Sequence, residues 1–115
     1  MKLKIKDRQL FLDNKYLCDT SFPRVASGNY KIVFEHSSTF NAIMPILKGI
    51  PDQDEVLICW CRELCRTEKS CAYCNSIQVG KRSVKGELIE CRSTFNQVYE
   101  DIHKSRSKDL MIEII

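Results

Sequence analysis

The sequence predicts an α+β fold: a curved, mainly antiparallel β-sheet, one helix in the C-terminal half and an irregular cysteine-rich loop. Three observations support this. Short runs of alternating apolar and polar residues fill the first third of the chain, as half-buried strands require. One later stretch has apolar residues at helical spacing. Between them, five of the seven cysteines fall within sixteen positions, from Cys59 to Cys74, where the apolar periodicity disappears.

Length and composition set the limits of the interpretation. The 115 residues predict a single domain, 1–115, and 43% hydrophobic residues can form a core without assistance. The net charge of +3 and the absence of any block of basic residues give no reason to expect a nucleic-acid partner. Neither a signal-like apolar run nor a stretch long enough for a membrane span occurs. We therefore expect a soluble, cytoplasmic protein.

The first half reads as strands. Alternation predicts strands at 3–5, 10–12 and 16–18, and 30–34 is the clearest strand in the chain. Asp13 and Asn14 tolerate positive φ, which predicts a tight hairpin between the second and third of these. Ser37, Ser38 or Thr39 can cap a short helical turn carrying Phe40, Ile43 and Met44, which Pro45 would end.

The second half is predicted to contain the helix. Residues 55–60 form a buried strand that runs into the cysteines, 77–80 resumes as a strand, and 88–91 and 110–115 follow as further strands. Phe95, Val98, Tyr99 and Ile102 make one apolar stripe, so a helix beginning near Ser93 or Thr94 should pack on the sheet.

Clustered thiols indicate a soft metal, disulfides or a reactive sulfur. Cys71 and Cys74 have the two-residue spacing of a zinc knuckle, and the second pair of ligands would come from the start of the cluster. The candidate zinc ligands are Cys59, Cys61, Cys65, Cys71 and Cys74. Disulfides, uncoordinated thiols and an iron–sulfur cluster are the alternatives. Cys18 and Cys91 stand apart and read as buried small apolar residues.

Several short motifs follow one another in an order that resembles a small bacterial and phage domain family of unknown function. They are Cys18-Asp19-Thr20, Pro23, Gly28-Asn29-Tyr30-Lys31-Ile32-Val33, His36-Ser37 with Phe40, Met44-Pro45-Ile46-Leu47, Ile50-Pro51 and Ile77-Gln78-Val79-Gly80. In that family a His-x-Gly-Asn segment and a Gly-Cys segment are similar to the catalytic pair of L,D-transpeptidases. Here Cys59 falls at the histidine position and Ser76 at the cysteine position. The resemblance therefore implies the fold more than the activity.

Two functions remain open on this basis. The leading hypothesis is a non-catalytic or catalytically altered relative of L,D-transpeptidase-like domains, whose zinc-stabilised cysteine loop binds an unknown protein or a cell-wall peptide. The alternative is a cysteine-dependent peptidoglycan hydrolase or transpeptidase with Cys74 as nucleophile and His36 as base. A purely structural role for His36 would be a hydrogen bond to Ser37 or Ser38. His103 is expected to be an exposed imidazole near the helix C-terminus.

Overall fold

The computed structural model describes residues 2–21, 25–38, 40–50, 56–60, 76–86, 88–104 and 110–115. Within them the chain forms nine strands and one helix: β1 (Lys2–Lys6), β2 (Gln9–Leu12), β3 (Lys15–Thr20), β4 (Gly28–Ser37), β5 (Ala42–Lys48), β6 (Val56–Trp60), β7 (Ile77–Arg82), β8 (Leu88–Ile89), α1 (Cys91–Lys104) and β9 (Met111–Ile114). The predicted strands at both ends of the chain and the predicted helix are confirmed. The predicted cysteine loop lies outside the described residues.

Eight of the strands close into a β-barrel in the order β3-β2-β1-β9-β4-β5-β6-β7, because β7 pairs back with β3. Asp19 lies opposite Gly80 and Thr20 opposite Val79 at this seam. β8 continues from β7 outside the ring. The predicted curved, mainly antiparallel sheet is therefore wrong as a description of the fold, because the sheet closes on itself. Alternation of side chains identifies strands, but closure depends on a pairing between segments about sixty residues apart, which no local pattern encodes.

Two tight hairpins start the barrel. Asp13 and Asn14 both have positive φ, 48° and 70°, which confirms the hairpin predicted there. Asp7 and Arg8, at 54° and 59°, make a second one between β1 and β2. Two consecutive residues with positive φ give a turn whose twist matches that of the flanking strands. The β1–β9 and β6–β7 pairs are parallel, and the other pairs are antiparallel.

The helical turn predicted after Ser37 is wrong, because the chain turns back there as β5. The Ser37 hydroxyl does accept a hydrogen bond from the Phe40 amide at 3.3 Å, as a cap would, but Asn41 then adopts φ 51°. From Ala42 the chain runs antiparallel to β4, with Phe34 opposite Pro45. The capping residues are those expected, but the pairing with β4 outweighs the weak local preference for a helix.

The helix packs mainly against β7 and β6. Met44 to Leu47 of β5 and Val56 to Cys59 of β6 are buried on both faces and lose the alternation of a half-exposed strand. The buried side of the helix carries Cys91, Thr94, Phe95, Val98 and Ile102. No helix in the described part of the chain has the length and apolar content that crossing a bilayer requires.

Candidate ligand-binding groove

A groove of about 240 Å³ runs along one flank of α1, beside the buried stripe of the helix. Its walls come from β5, β6 and α1: Ala42, Ile43, Met44, Trp60, Arg92, Phe95, Asn96 and Tyr99. At about 100° per residue, Arg92, Asn96 and Tyr99 lie on the same side of the helix. Ile43 leaves half of its surface exposed at the rim, 50%. The groove is thus apolar at its base and open to solvent.

The end of β6 places Trp60 in the wall of this groove. Its ring meets Phe95 of the helix edge-on, with ring centroids 5.1 Å apart, and Phe40 at 4.7 Å. The Arg92 guanidinium carbon lies 3.9 Å from the centroid of the Trp60 ring, a cation–π contact. Arg92 is exposed, so the N–H donors of its guanidinium remain available to a ligand.

The aromatic surface continues along the helix. Phe95 is followed by Tyr99 at 5.8 Å, and the His103 ring stacks on Tyr99 at 5.7 Å with only 11° between the planes. Phe34 of β4 packs edge-on against both Tyr99 and His103, each at 5.6 Å. These contacts hold the rings in one arrangement, so a ligand would meet a preformed wall.

The electrostatics of the groove favour an anion. Glu35 on β4 and Glu100 on α1 already have cationic partners, Lys48 at 2.8 Å and Lys104 at 2.9 Å. Arg92 makes no ion pair with any of the described residues and lies in the first turn of α1, which contains no acidic side chain. A cation there is unfavourable because the helix N-terminus itself carries partial positive charge. An anion beside Arg92 would interact favourably with the guanidinium and with the helix N-terminus.

Cys59 is the one predicted zinc ligand among the described residues, and its role as a ligand stays a prediction. Its thiol is 0% exposed within the main hydrophobic core. Cys59 lies opposite Gln78 in the β6–β7 pair, on the other strand face from Trp60. The described residues contain no group of three or more His, Cys, Asp or Glu side chains that could hold a metal. The other predicted ligands, Cys61, Cys65, Cys71 and Cys74, lie outside the described residues.

The predicted catalytic pair is not tested, because Cys74 also lies outside the described residues. His36 is exposed on β4, and its Nε2 lies 3.2 Å from Oδ1 of Asn41. The hydrogen bond expected with Ser37 or Ser38 is thus made with Asn41 instead. Ser76, at the position where the resembling family has cysteine, is buried just before β7.

The two isolated cysteines differ from each other. Cys18 is buried as predicted, and burial, with a smaller contribution from the charge of Asp19, raises the pKa of its thiol to about 12. Such a thiol stays protonated and unreactive at neutral pH. Cys91 is buried too, but its sulfur is disulfide-bonded, with a partner outside the described residues. The interpretation of Cys91 as a simple small apolar residue is therefore wrong.

Sequence reasoning missed the groove, although its helix was predicted. The predicted stripe of Phe95, Val98, Tyr99 and Ile102 is buried except for Tyr99. Tyr99 instead lies beside Arg92 and Asn96 in the wall of the groove. The sequence did contain one signal of a binding position: Arg92 lies in the first turn of the helix, which has no acidic side chain. The contribution of Trp60 could not be seen, since it depends on which strand lies beneath the helix.

Comparison of the chain with protein-family models, with curated proteins and with solved structures finds no match. The resemblance to transpeptidase-like domains therefore rests on the order of its motifs alone and stays a hypothesis.

Proposed function

We propose that this domain is a non-catalytic binding module that holds the carboxylate-bearing end of a peptide in the groove beside α1. The cation–π contact between Arg92 and Trp60 carries the proposal. It fixes a guanidinium in a first helical turn, where it makes no ion pair with the described residues. A side chain whose charge is unfavourable at that end of the helix dipole is typical of a functional position.

The groove offers complementary surfaces to such a peptide end. The guanidinium edge of Arg92 can donate two parallel hydrogen bonds to a carboxylate. An apolar side chain next to that carboxylate would lie against Ile43, Trp60 and Tyr99. A cell-wall stem peptide, which the resemblance suggests as the ligand class, ends in a small apolar residue with a free carboxylate and meets both requirements.

Trp60 is the chain's single tryptophan, so its fluorescence reports directly on this groove. We expect a saturable change on titration with a stem pentapeptide that has a free C-terminus. The C-terminal amide of the same peptide should bind at least about tenfold more weakly, since a charge-assisted hydrogen bond contributes about 1.5–3 kcal/mol.

Arg92→Gln keeps a polar side chain and should cause the same loss for the free acid. Lys85→Gln is the matched control, because it also removes an exposed cation but lies in the turn between β7 and β8. Equal affinity for acid and amide, or an unaffected Arg92→Gln variant, would overturn the proposal.

Zinc binding stays a separate prediction about the cysteine cluster. Cys71 and Cys74 have the knuckle spacing, and the second pair of ligands would come from Cys59, Cys61 and Cys65. Elemental analysis of the purified protein and of a Cys71→Ser/Cys74→Ser variant measures this directly. One equivalent lost in the variant supports zinc, and metal-free wild-type protein contradicts it.

The enzyme alternative and the cytoplasmic location also stay predictions. No described residue favours a dyad of Cys74 and His36, and unchanged activity on stem peptides in Cys74→Ala would end that hypothesis. The disulfide at Cys91 argues against the reducing cytosol and in favour of an oxidising compartment.

A further inference from the structure

One wall of the groove is a row of three side chains on α1, Arg92, Asn96 and Tyr99. They are four and three residues apart, so neighbouring Cβ atoms in the row are separated by about 5–6 Å. The row presents a cation, then a primary amide, then an aromatic ring. A carboxylate on Arg92 and an apolar side chain on Tyr99 occupy its two ends, which leaves the amide of Asn96 beside the chain that joins them.

The side-chain amide of Asn96 is free to bind a ligand. Asn96 is exposed, and its amide makes no hydrogen bond with any residue that the structure describes. The neighbouring amide of Gln97 differs, because its Nε2 donates to Oδ1 of Asp101 at 3.1 Å and Gln97 lines a cavity on the other flank of the helix. A primary amide offers two N–H donors and an oxygen with two acceptor positions. Asn96 can therefore bond to a peptide group that lies in the groove.

The end of an extended peptide fits the spacing between Arg92 and Asn96. In an extended residue the N–H and the carbonyl oxygen point to the same side of the chain, as in a hydrogen-bonded strand pair. The last N–H of a peptide and its terminal carboxylate therefore face the same wall. The guanidinium carbon of Arg92 lies 3.9 Å from the centroid of the Trp60 ring, so the carboxylate binds beside β6. The N–H next to it then meets the following turn of the helix, at Asn96.

We infer that Asn96 recognises the last peptide bond of the ligand, an inference that rests on the proposed function. Its Oδ1 accepts a hydrogen bond from the N–H of that bond, and the side chain of the penultimate residue packs on Tyr99. The ligands are thus peptides whose last residue is joined through an amide that carries a hydrogen. A chain that ends in a hydroxy acid is joined by an ester and lacks this donor, so the Asn96 oxygen would face the lone pairs of the ester oxygen.

The probes are the stem pentapeptide that ends in alanine and its ester analogue, in which lactate replaces that alanine. The two ligands have the same methyl group and the same carboxylate, and they differ only in one N–H that is replaced by an oxygen. Both are titrated into the full chain and followed by Trp60 fluorescence. The ester should bind about three- to tenfold more weakly, the loss expected for one neutral hydrogen bond. Equal affinities for the two ligands would overturn the inference.

Asn96→Ala removes the amide, and alanine favours a helix, so the fold should persist. The affinity for the peptide should fall about three- to tenfold, while the affinity for the ester should change less than about twofold. Gln97→Ala is the matched control, because it removes an exposed amide from the neighbouring position outside the groove, and it should alter neither affinity. An equal loss for both ligands in Asn96→Ala would contradict the inference, because the side chain would then act without distinguishing the N–H.

The C-terminal amide of the pentapeptide separates a failure of this inference from a failure of the proposed function. If the free acid is preferred to that amide while the ester binds as tightly as the peptide, the groove holds the carboxylate and Asn96 has no part in its specificity. If the free acid and the amide bind equally, the proposed function is wrong, and so is the inference that rests on it.

Discussion

Asp19 and Arg82 bind each other across the seam at which the barrel closes. Oδ2 of Asp19 accepts a hydrogen bond from the backbone amide of Arg82 at 2.7 Å, and the Arg82 guanidinium donates to the carbonyl of Thr20. The other oxygen of Asp19 accepts from the Tyr16 hydroxyl at 3.0 Å. Few residues pair directly between β3 and β7, so these contacts from the side chains extend a short seam.

Replacing Asp19 by asparagine should weaken this seam. An amide keeps an acceptor oxygen for the Arg82 backbone amide but removes the charge that strengthens both hydrogen bonds, so we expect the free energy of unfolding to fall by about 1–2 kcal/mol. Urea unfolding measures it. Glu35→Gln, the same chemical change in the exposed pair with Lys48, should cost less than about 1 kcal/mol. Equal losses in the two variants would show that the seam contact is no stronger than a surface ion pair.

Gly80 of β7 is required by close packing rather than by its backbone angles. A Cβ at this position would lie 2.9 Å from the carbonyl oxygen of Ile89 and 3.1 Å from the sulfur of Cys91. Gly80→Ala should therefore destabilise the protein by about 1–3 kcal/mol through overpacking. Thermal unfolding is the measurement, and a Tm equal to that of the wild type would mean that β8 moves away without cost.

The buried Cys18 thiol should make stability depend on pH in the alkaline range. Its pKa is raised to about 12 in the folded protein, from an ordinary value near 9. Above pH 9 the unfolded chain loses this proton while the folded chain keeps it, so stability falls as pH rises, by about 1.4 kcal/mol per pH unit. The contribution of the protonated Cys18 thiol to the free energy of unfolding is complete below pH 9 and is lost as the pH approaches 12.

Cys18→Ala isolates this effect from the titration of other groups. The variant is less stable at pH 7 because it loses packing, but the stability gap to the wild type should narrow as pH rises from 9. Urea unfolding at several pH values measures the gap. A gap that stays constant up to pH 11 would contradict the raised pKa.

The disulfide at Cys91 limits the number of thiols that can react with a reagent in the unreduced protein. Two of the seven cysteines are engaged, so at most five should react with a thiol reagent after denaturation without reductant. Reduction before the assay should restore all seven. Cys91→Ser should leave its former partner reactive and keep the count at or below six. Seven reactive thiols in the unreduced, denatured wild type would exclude the disulfide.

Much of the fold could be predicted from local pattern. The hairpin at Asp13 and Asn14, the strand around Tyr30 and the helix stripe at Phe95 and Val98 were confirmed, because each depends on residues close in sequence. The strand at β5 was missed since Ser37 makes a capping contact that suits a helix start as well as a turn. The candidate groove depends on residues from β5, β6 and α1, and no local pattern brings these together.

The sequence by itself determined where the strands and the helix lie, because backbone turns and side-chain periodicity act over a few residues. It also determined that Cys18 is buried among apolar residues, through the strand in which it lies. Only the tertiary structure decided that β7 returns to β3 and that Trp60 lies beneath Arg92. Each of these features depends on contacts between segments that are distant in sequence. Those contacts are stabilised by the folding of the whole barrel and not by the local sequence.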